Sequence, residues 1–170
     1  MTTQDARARL LDHFPNNSSD QPIRWAQLWE KGDFLPWDRG LPNPALVDVL
    51  REKQDLIGTC FENDADSVKR RKKAFVPGCG RGYDVLLLAS FGYDAYGLEV
   101  SDKAVQLCIQ EQKTNGPNYP VQDDSAGAGK ATFIRGDFFS DDWTKEIPGG
   151  PTFELIYDYT VRTMMELNLM

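Results

Sequence analysis

The chain has 170 residues, 41% hydrophobic and 26% charged, enough for one globular domain that buries roughly 70% of its extended surface. Lysine and arginine total 19 against 26 aspartates and glutamates, a formal charge of −7, which argues against nucleic acid or an anionic membrane as a partner of the overall surface. Apolar runs such as Val85-Leu86-Leu87-Leu88-Ala89 are too short to cross a bilayer, the charged start MTTQDARARL lacks a signal-peptide core, and three cysteines without CxxC spacing point to a reducing, cytoplasmic setting.

Residues 1–21 read as a flexible, frayed amphipathic segment that ends in the polar loop Asn16-Asn17-Ser18-Ser19-Asp20. The only histidine, His13, lies here, which leaves no His-based metal site and no His-dependent triad. A helix is predicted over residues 22–31, with Asp20 as cap, Pro22 in the first turn and Gly32 as stop. A second helix starts at the cap Asn43 and Pro44; its apolar positions Leu46, Val47, Val49 and Leu50 carry it to residue 57, before Gly58. The basic run 69–73 then reads as a solvated lead-in to an apolar strand, Ala74-Phe75-Val76.

From there strands alternate with helices. A glycine turn at 78–82 leads to a helix over 83–91, a strand over 95–100 and a helix over 101–113. A loop at 114–130 precedes a strand over 131–134, and a last strand covers 153–157. This is the βαβαβ pattern of a parallel sheet with right-handed crossovers.

The turn Gly78-Cys79-Gly80-Arg81-Gly82 is GxGxG. The dinucleotide fingerprint would need a third glycine at Tyr83, and a phosphate loop would need Gly-Lys-Ser/Thr; neither is present. A glycine turn between strand and helix still brings backbone close to a ligand. Glu99 ends the second strand, 17 positions after Gly82. A carboxylate there can accept both hydroxyls of a ribose, so the pattern suits S-adenosyl-L-methionine. Asp137, after the third strand, can accept from an adenine amino group, and Phe138 can lie against the ring. Asp158 and Tyr159 close the fourth strand at the switch point, where open α/β sheets bind ligands. Cys79 sits inside the turn, where packing is a simpler role than nucleophilic attack.

Trp25 and Trp29 lie four apart, on one helical face, and Trp37 follows in Pro36-Trp37-Asp38. Aromatic faces can enclose a sulfonium by cation–π attraction; equally, such rings anchor a helix on a sheet.

Together these segments resemble the thiopurine methyltransferase family, and within it the thiol and halide methyltransferases of fungi and plants. The resemblance rests on Trp25…Leu28-Trp29-Glu30-Lys31-Gly32, Pro36-Trp37-Asp38-Arg39-Gly40, Val76-Pro77-Gly78-Cys79-Gly80-Arg81-Gly82-Tyr83-Asp84, Gly97-Leu98-Glu99, Gly136-Asp137-Phe138-Phe139 and 153–160. It implies a Rossmann-like class I fold and methyl transfer from S-adenosyl-L-methionine to a small thiol or halide. It also implies cofactor contacts at Trp25, Trp29, Trp37, Gly78, Glu99, Asp137, Phe138 and Tyr159, with Gly80 in the same turn; no catalytic base is assigned. The cofactor domain is then 22–160, and 161–170 is a divergent tail unlike the family's continuation. The sheet is expected to hold only its first four strands, in spatial order 3-2-1-4, with an exposed edge open to self-association. Two alternatives stand beside an active enzyme: a cofactor-binding fragment without turnover, and a nuclear-localisation or RNA contact through Lys69 to Lys73.

Overall fold

The computed structural model describes residues 3–14, 20–63 and 69–159, so the expected tail at 161–170 lies outside the described residues. Helices α1 (Thr3–His13), α2 (Gln21–Lys31), α3 (Pro44–Glu52) and α4 (Gln54–Ile57) precede an antiparallel pair, β1 (Phe61–Asn63) and β2 (Lys69–Arg71). The remainder is β3 (Lys73–Pro77), α5 (Tyr83–Ser90), β4 (Asp94–Glu99), α6 (Asp102–Asn115), β5 (Ala131–Arg135) and β6 (Leu155–Ile156).

Strands β3 to β6 form one parallel sheet in the order β5-β4-β3-β6, the expected 3-2-1-4 arrangement. Alternation along the strands builds a core on each face. Ala74 and Val76 of β3 join Val85, Leu88, Leu46 and Leu50, from α5 and α3, on one side. Phe75, Tyr96, Leu98 and Ile134 meet Trp143, Ile147 and Phe153 on the other. Phe75 is the hinge of this second core, stacked parallel on Trp143 at 5.0 Å and on Phe153 at 4.7 Å.

The helix ends follow the sequence in part. Asn43 caps α3 by accepting from the Ala45 N–H at 3.0 Å, and Ser101 caps α6 through Ala104 N–H. Gly32 closes α2 in the left-handed conformation, whereas the Asp20 side chain makes no capping hydrogen bond. The single helix expected over 44–57 is broken at Lys53 (φ −116°, ψ 35°). There the Gln54 amide donates to Leu50 O at 2.6 Å, satisfying a carbonyl that the interrupted helix leaves open.

Two segments depart further from expectation. Within the stretch read as frayed, Thr3–His13 form α1, which contacts α2: Arg24 Nη1 donates to His13 O at 3.0 Å, His13 Nε2 lies 2.9 Å from Arg24 O, and Phe14 packs on Trp25 at 4.4 Å. The basic run is not a solvated lead-in. Arg71 donates to Gly92 O at 2.8 Å and Ala126 O at 2.6 Å, and Lys73 Nζ to Pro148 O at 2.6 Å and Gly150 O at 3.0 Å. Arg70 pairs with Glu62 and, at 2.8 Å, with Glu154, whose other oxygen takes the Lys73 N–H at 2.7 Å. These cations tie loops to the sheet, and that use leaves few of them to grip a phosphate backbone.

Strand β6 is shorter than the five residues expected. Its ladder to β3 is nonetheless extended by Glu154 N–H to Lys73 O at 3.0 Å and Tyr157 N–H to Phe75 O at 2.9 Å.

Candidate cofactor site

The site lies where the C-terminal ends of the parallel strands meet. The glycine turn leaves β3 with Gly78, Gly80 and Gly82 all at positive φ (57°, 57° and 78°), a conformation that side chains resist. Gly97 in β4 lets the turn lie against the sheet. A Cβ there would come within 2.7 Å of Cys79 Sγ and 2.8 Å of Val85 Cγ2, too close for either to remain.

Glu99 anchors the turn from beneath. It is buried, with Oε2 accepting from Gly80 N–H at 3.1 Å and Oε1 from Val100 N–H at 2.8 Å and Ser101 N–H at 3.3 Å. Burial raises its pKa above the usual carboxylate range, and these three N–H groups oppose that rise. Oε2, with one donor, keeps a direction in which to accept another.

Above the turn is a cavity of about 360 Å³, at the small end for ligand sites. Five of the nine candidate residues line it: Trp29, Trp37, Gly78, Gly80 and Tyr159. Trp29 is almost fully buried and covers the turn so closely that a Cβ on Gly80 would meet its ring at 3.4 Å. Trp37 stands edge-on to Trp29, with ring centres 6.0 Å apart.

The other four lie outside the cavity wall. Trp25 sits behind Trp37, edge-on at 5.1 Å, and so supports the wall. Glu99 is below the turn. Asp137 and Phe138 lie farther along the strand ends, joined to Glu99 through the Gly136 N–H to Glu99 O bond of 3.0 Å. Asp137 Oδ1 accepts from Phe139 N–H at 3.0 Å, as a turn former does, while Phe138 is 42% exposed and stacks over Phe75.

Sequence reasoning passed over several wall residues. Asp38, Arg39, Tyr83, Asp84 and Tyr157 line the cavity, as does Leu10 from α1. The first four stand in motifs already singled out for their tryptophan and glycines, which was the available signal; Leu10 has none. Asp84 accepts from Asn43 N–H at 2.7 Å, and burial raises its pKa. Burial pushes the Tyr157 hydroxyl up to about 12. The Cys79 thiol is held well above its ordinary range, first by the neighbouring Cys108 thiol and then by burial. It is therefore protonated, which suits packing and not attack.

A glycine turn after the central strand, a carboxylate ending the next, and a cavity at the strand ends define a Rossmann-like methyltransferase fold. A solved structure concerned with the conversion of a disulfide bond into a thioacetal group during echinomycin biosynthesis shares this fold. It superposes with a TM-score of 0.57 at 23% identity, over 85% of this chain and 48% of that one. The chain belongs to the thiopurine S-methyltransferase family, whose sequence model matches residues 20–169. That match continues past Thr160, where the motif resemblance stopped, and takes in most of the stretch set apart as a divergent tail. Among curated relatives, thiocyanate methyltransferase 1 of Brassica oleracea is 30% identical over 142 residues, 84% of this chain and 49% of that protein. A probable thiol methyltransferase 2 of Arabidopsis thaliana is 32% identical over 136 residues, 80% of this chain and 46% of that protein. The chain spans about half the length of the curated relatives it matches.

Proposed function

We propose that this chain binds S-adenosyl-L-methionine and takes part in methyl transfer to a small anionic acceptor, a thiolate or a halide. The observation that carries this reading is the cavity itself, walled by Trp29 and Trp37 and floored by side-chain-free Gly78 and Gly80. The residues present fit the cofactor. Backbone at the turn is open to its amino-acid end and the indole faces suit a sulfonium, while Glu99, buried below the turn and outside the cavity wall, is proposed to accept a ribose hydroxyl through Oε2, which has one donor. When bound, S-adenosylmethionine supplies an electrophilic methyl group on a sulfonium.

The protein's own task is to hold donor and nucleophile in line and to exclude water, which supplies roughly 7–11 kcal/mol in well-oriented systems. A thiolate or halide needs little or no general base, in keeping with a wall that offers no histidine. Arg39 favours an anionic acceptor. It lines the cavity and has no hydrogen bond or ion pair among the described residues, whereas Arg81 is already bound to Asp38.

The test is one sample with two readouts. Calorimetric titration with S-adenosylmethionine should show saturable binding, and labelled methyl should appear on a small thiol or on iodide. Binding without transfer would support the cofactor-binding fragment; absence of binding would overturn the reading.

Intrinsic fluorescence gives a further expected result. Cofactor should change the emission, and Trp37→Phe or Trp29→Phe should reduce that change. Trp143 is no silent background, since it shares the Phe75 stack with Phe138. The comparison is therefore made in a Trp143→Phe chain. A response that survives loss of Trp25, Trp29 and Trp37 would leave the trio as packing alone.

A further inference from the structure

Residues 32–43 carry Trp37 to the cavity without a helix or strand to hold them. Within this loop the backbone offers one turn, Asp38 N–H to Leu35 O at 3.0 Å. The aromatic contacts of Trp37 with Trp25 and Trp29 are edge-on, and both partners belong to α2, so they do not fasten the loop to the glycine turn. The Asn43 N–H to Asp84 Oδ1 bond of 2.7 Å fixes the far end of the loop to α5, and what joins its Trp37 end to the opposite wall is the next side chain, Asp38. Its Oδ2 accepts from Arg81 Nε, and its Oδ1 accepts from Tyr83 Oη at 3.0 Å. Arg81 lies within the glycine turn, between Gly80 and Gly82, whose positive φ values set its direction. Tyr83 opens α5.

We infer that Asp38, Arg81 and Tyr83 form a latch that fastens the Trp37 loop onto the glycine turn and so sets the affinity of the site for its cofactor. The inference rests on the functional reading above and adds to it three positioning residues, none of which needs to touch the methyl group. The Asp38 side chain is 13% exposed and that of Arg81 31%, so solvent screens the pair less than a surface ion pair. A carboxylate that receives both a guanidinium and a hydroxyl is fixed in direction as well as in place. Trp37, one residue away, is thereby held against the turn before any ligand arrives, which lowers the ordering cost of binding. Burial and the Asp38 carboxylate both raise the Tyr83 pKa, so its hydroxyl stays a donor throughout the working pH range.

The experiment uses the 170-residue chain and two independent readouts. The first is calorimetric affinity for S-adenosylmethionine; the second is backbone hydrogen exchange without ligand over residues 35–42. Asp38→Asn and Arg81→Gln should each weaken binding about tenfold and speed exchange in that loop, while exchange in β3, β4 and β5 stays unchanged. Arg81→Lys, which keeps the charge, should recover part of both effects, and Tyr83→Phe should give a smaller loss. Unchanged affinity with unchanged loop exchange would overturn the latch. So would a rise in exchange spread evenly through the sheet, because the pair would then serve general stability. If the wild-type chain binds no S-adenosylmethionine, the functional reading fails, and loop exchange alone still decides whether the latch exists.

Discussion

Glu99→Ala is expected to weaken S-adenosylmethionine binding at least about tenfold, measured by calorimetric titration of the 170-residue chain. Two losses combine. The ribose loses the acceptor proposed for it, and the glycine turn loses the anchor that Gly80 N–H finds at 3.1 Å. The same carboxylate holds Val100 and Ser101 N–H at the entry to α6, so α6 is expected to loosen as well. Glu99 also predicts a pH dependence. Its folded-state pKa is raised, chiefly by burial, so ionisation costs stability as pH rises from the unfolded carboxylate range through the folded value. Cofactor binding runs the other way, because a ribose hydroxyl is best accepted by the ionised form. Affinity should therefore fall as pH drops through the folded pKa, and Glu99→Gln should remove that dependence. Unchanged affinity in both variants would take Glu99 out of the site.

The 170-residue chain is expected to self-associate and to show weak or no methylation of a small thiol. Strand β6 pairs with β3 on one side and has no strand partner on the other among the described residues. An uncovered edge recruits strands from other molecules, and Ile156 on this one is 61% exposed. Light scattering should report a mass above the monomer that grows with concentration. Ile156→Lys, which places a charge on the edge, should reduce it. A stable monomer with robust turnover would overturn the expectation and show that half the length of its relatives suffices for catalysis.

The sheet order was legible because strand and helix periods alternate cleanly from residue 74 onward and right-handed crossovers leave few ways to connect them. Asn43-Pro44 announced its helix through the same capping chemistry that the structure shows, whereas the Ser101 cap emerged only in the structure. The basic run was misread for a physical reason. The carbonyls that satisfy Arg71 lie 21 and 55 residues away, beyond any local pattern, so a paired arginine and a solvated one look alike in sequence. The tryptophans show a finer version of the same limit. Helical spacing puts Trp25 and Trp29 on one face, but only the fold reveals that Trp37 stands between Trp25 and the cavity. Asp38 was legible as part of a motif and invisible as half of an ion pair, since its partner is 43 positions downstream.

One property of the cavity reaches beyond recognition. Leu10, from the first helix, and Tyr159, just beyond the last strand, share its wall, so an occupant that spans the cavity bridges the first helix and the segment after the last strand. A ligand at a hundredfold excess over its Kd adds about 2.7 kcal/mol to the folded state by mass action. In this protein that gain is applied where a polypeptide ordinarily frays first. Saturating S-adenosylmethionine should therefore slow proteolytic trimming from the N-terminal and C-terminal sides together, as mass spectrometry of a timed digest would record. Protection of one side alone would mean that the occupant rests against a single wall.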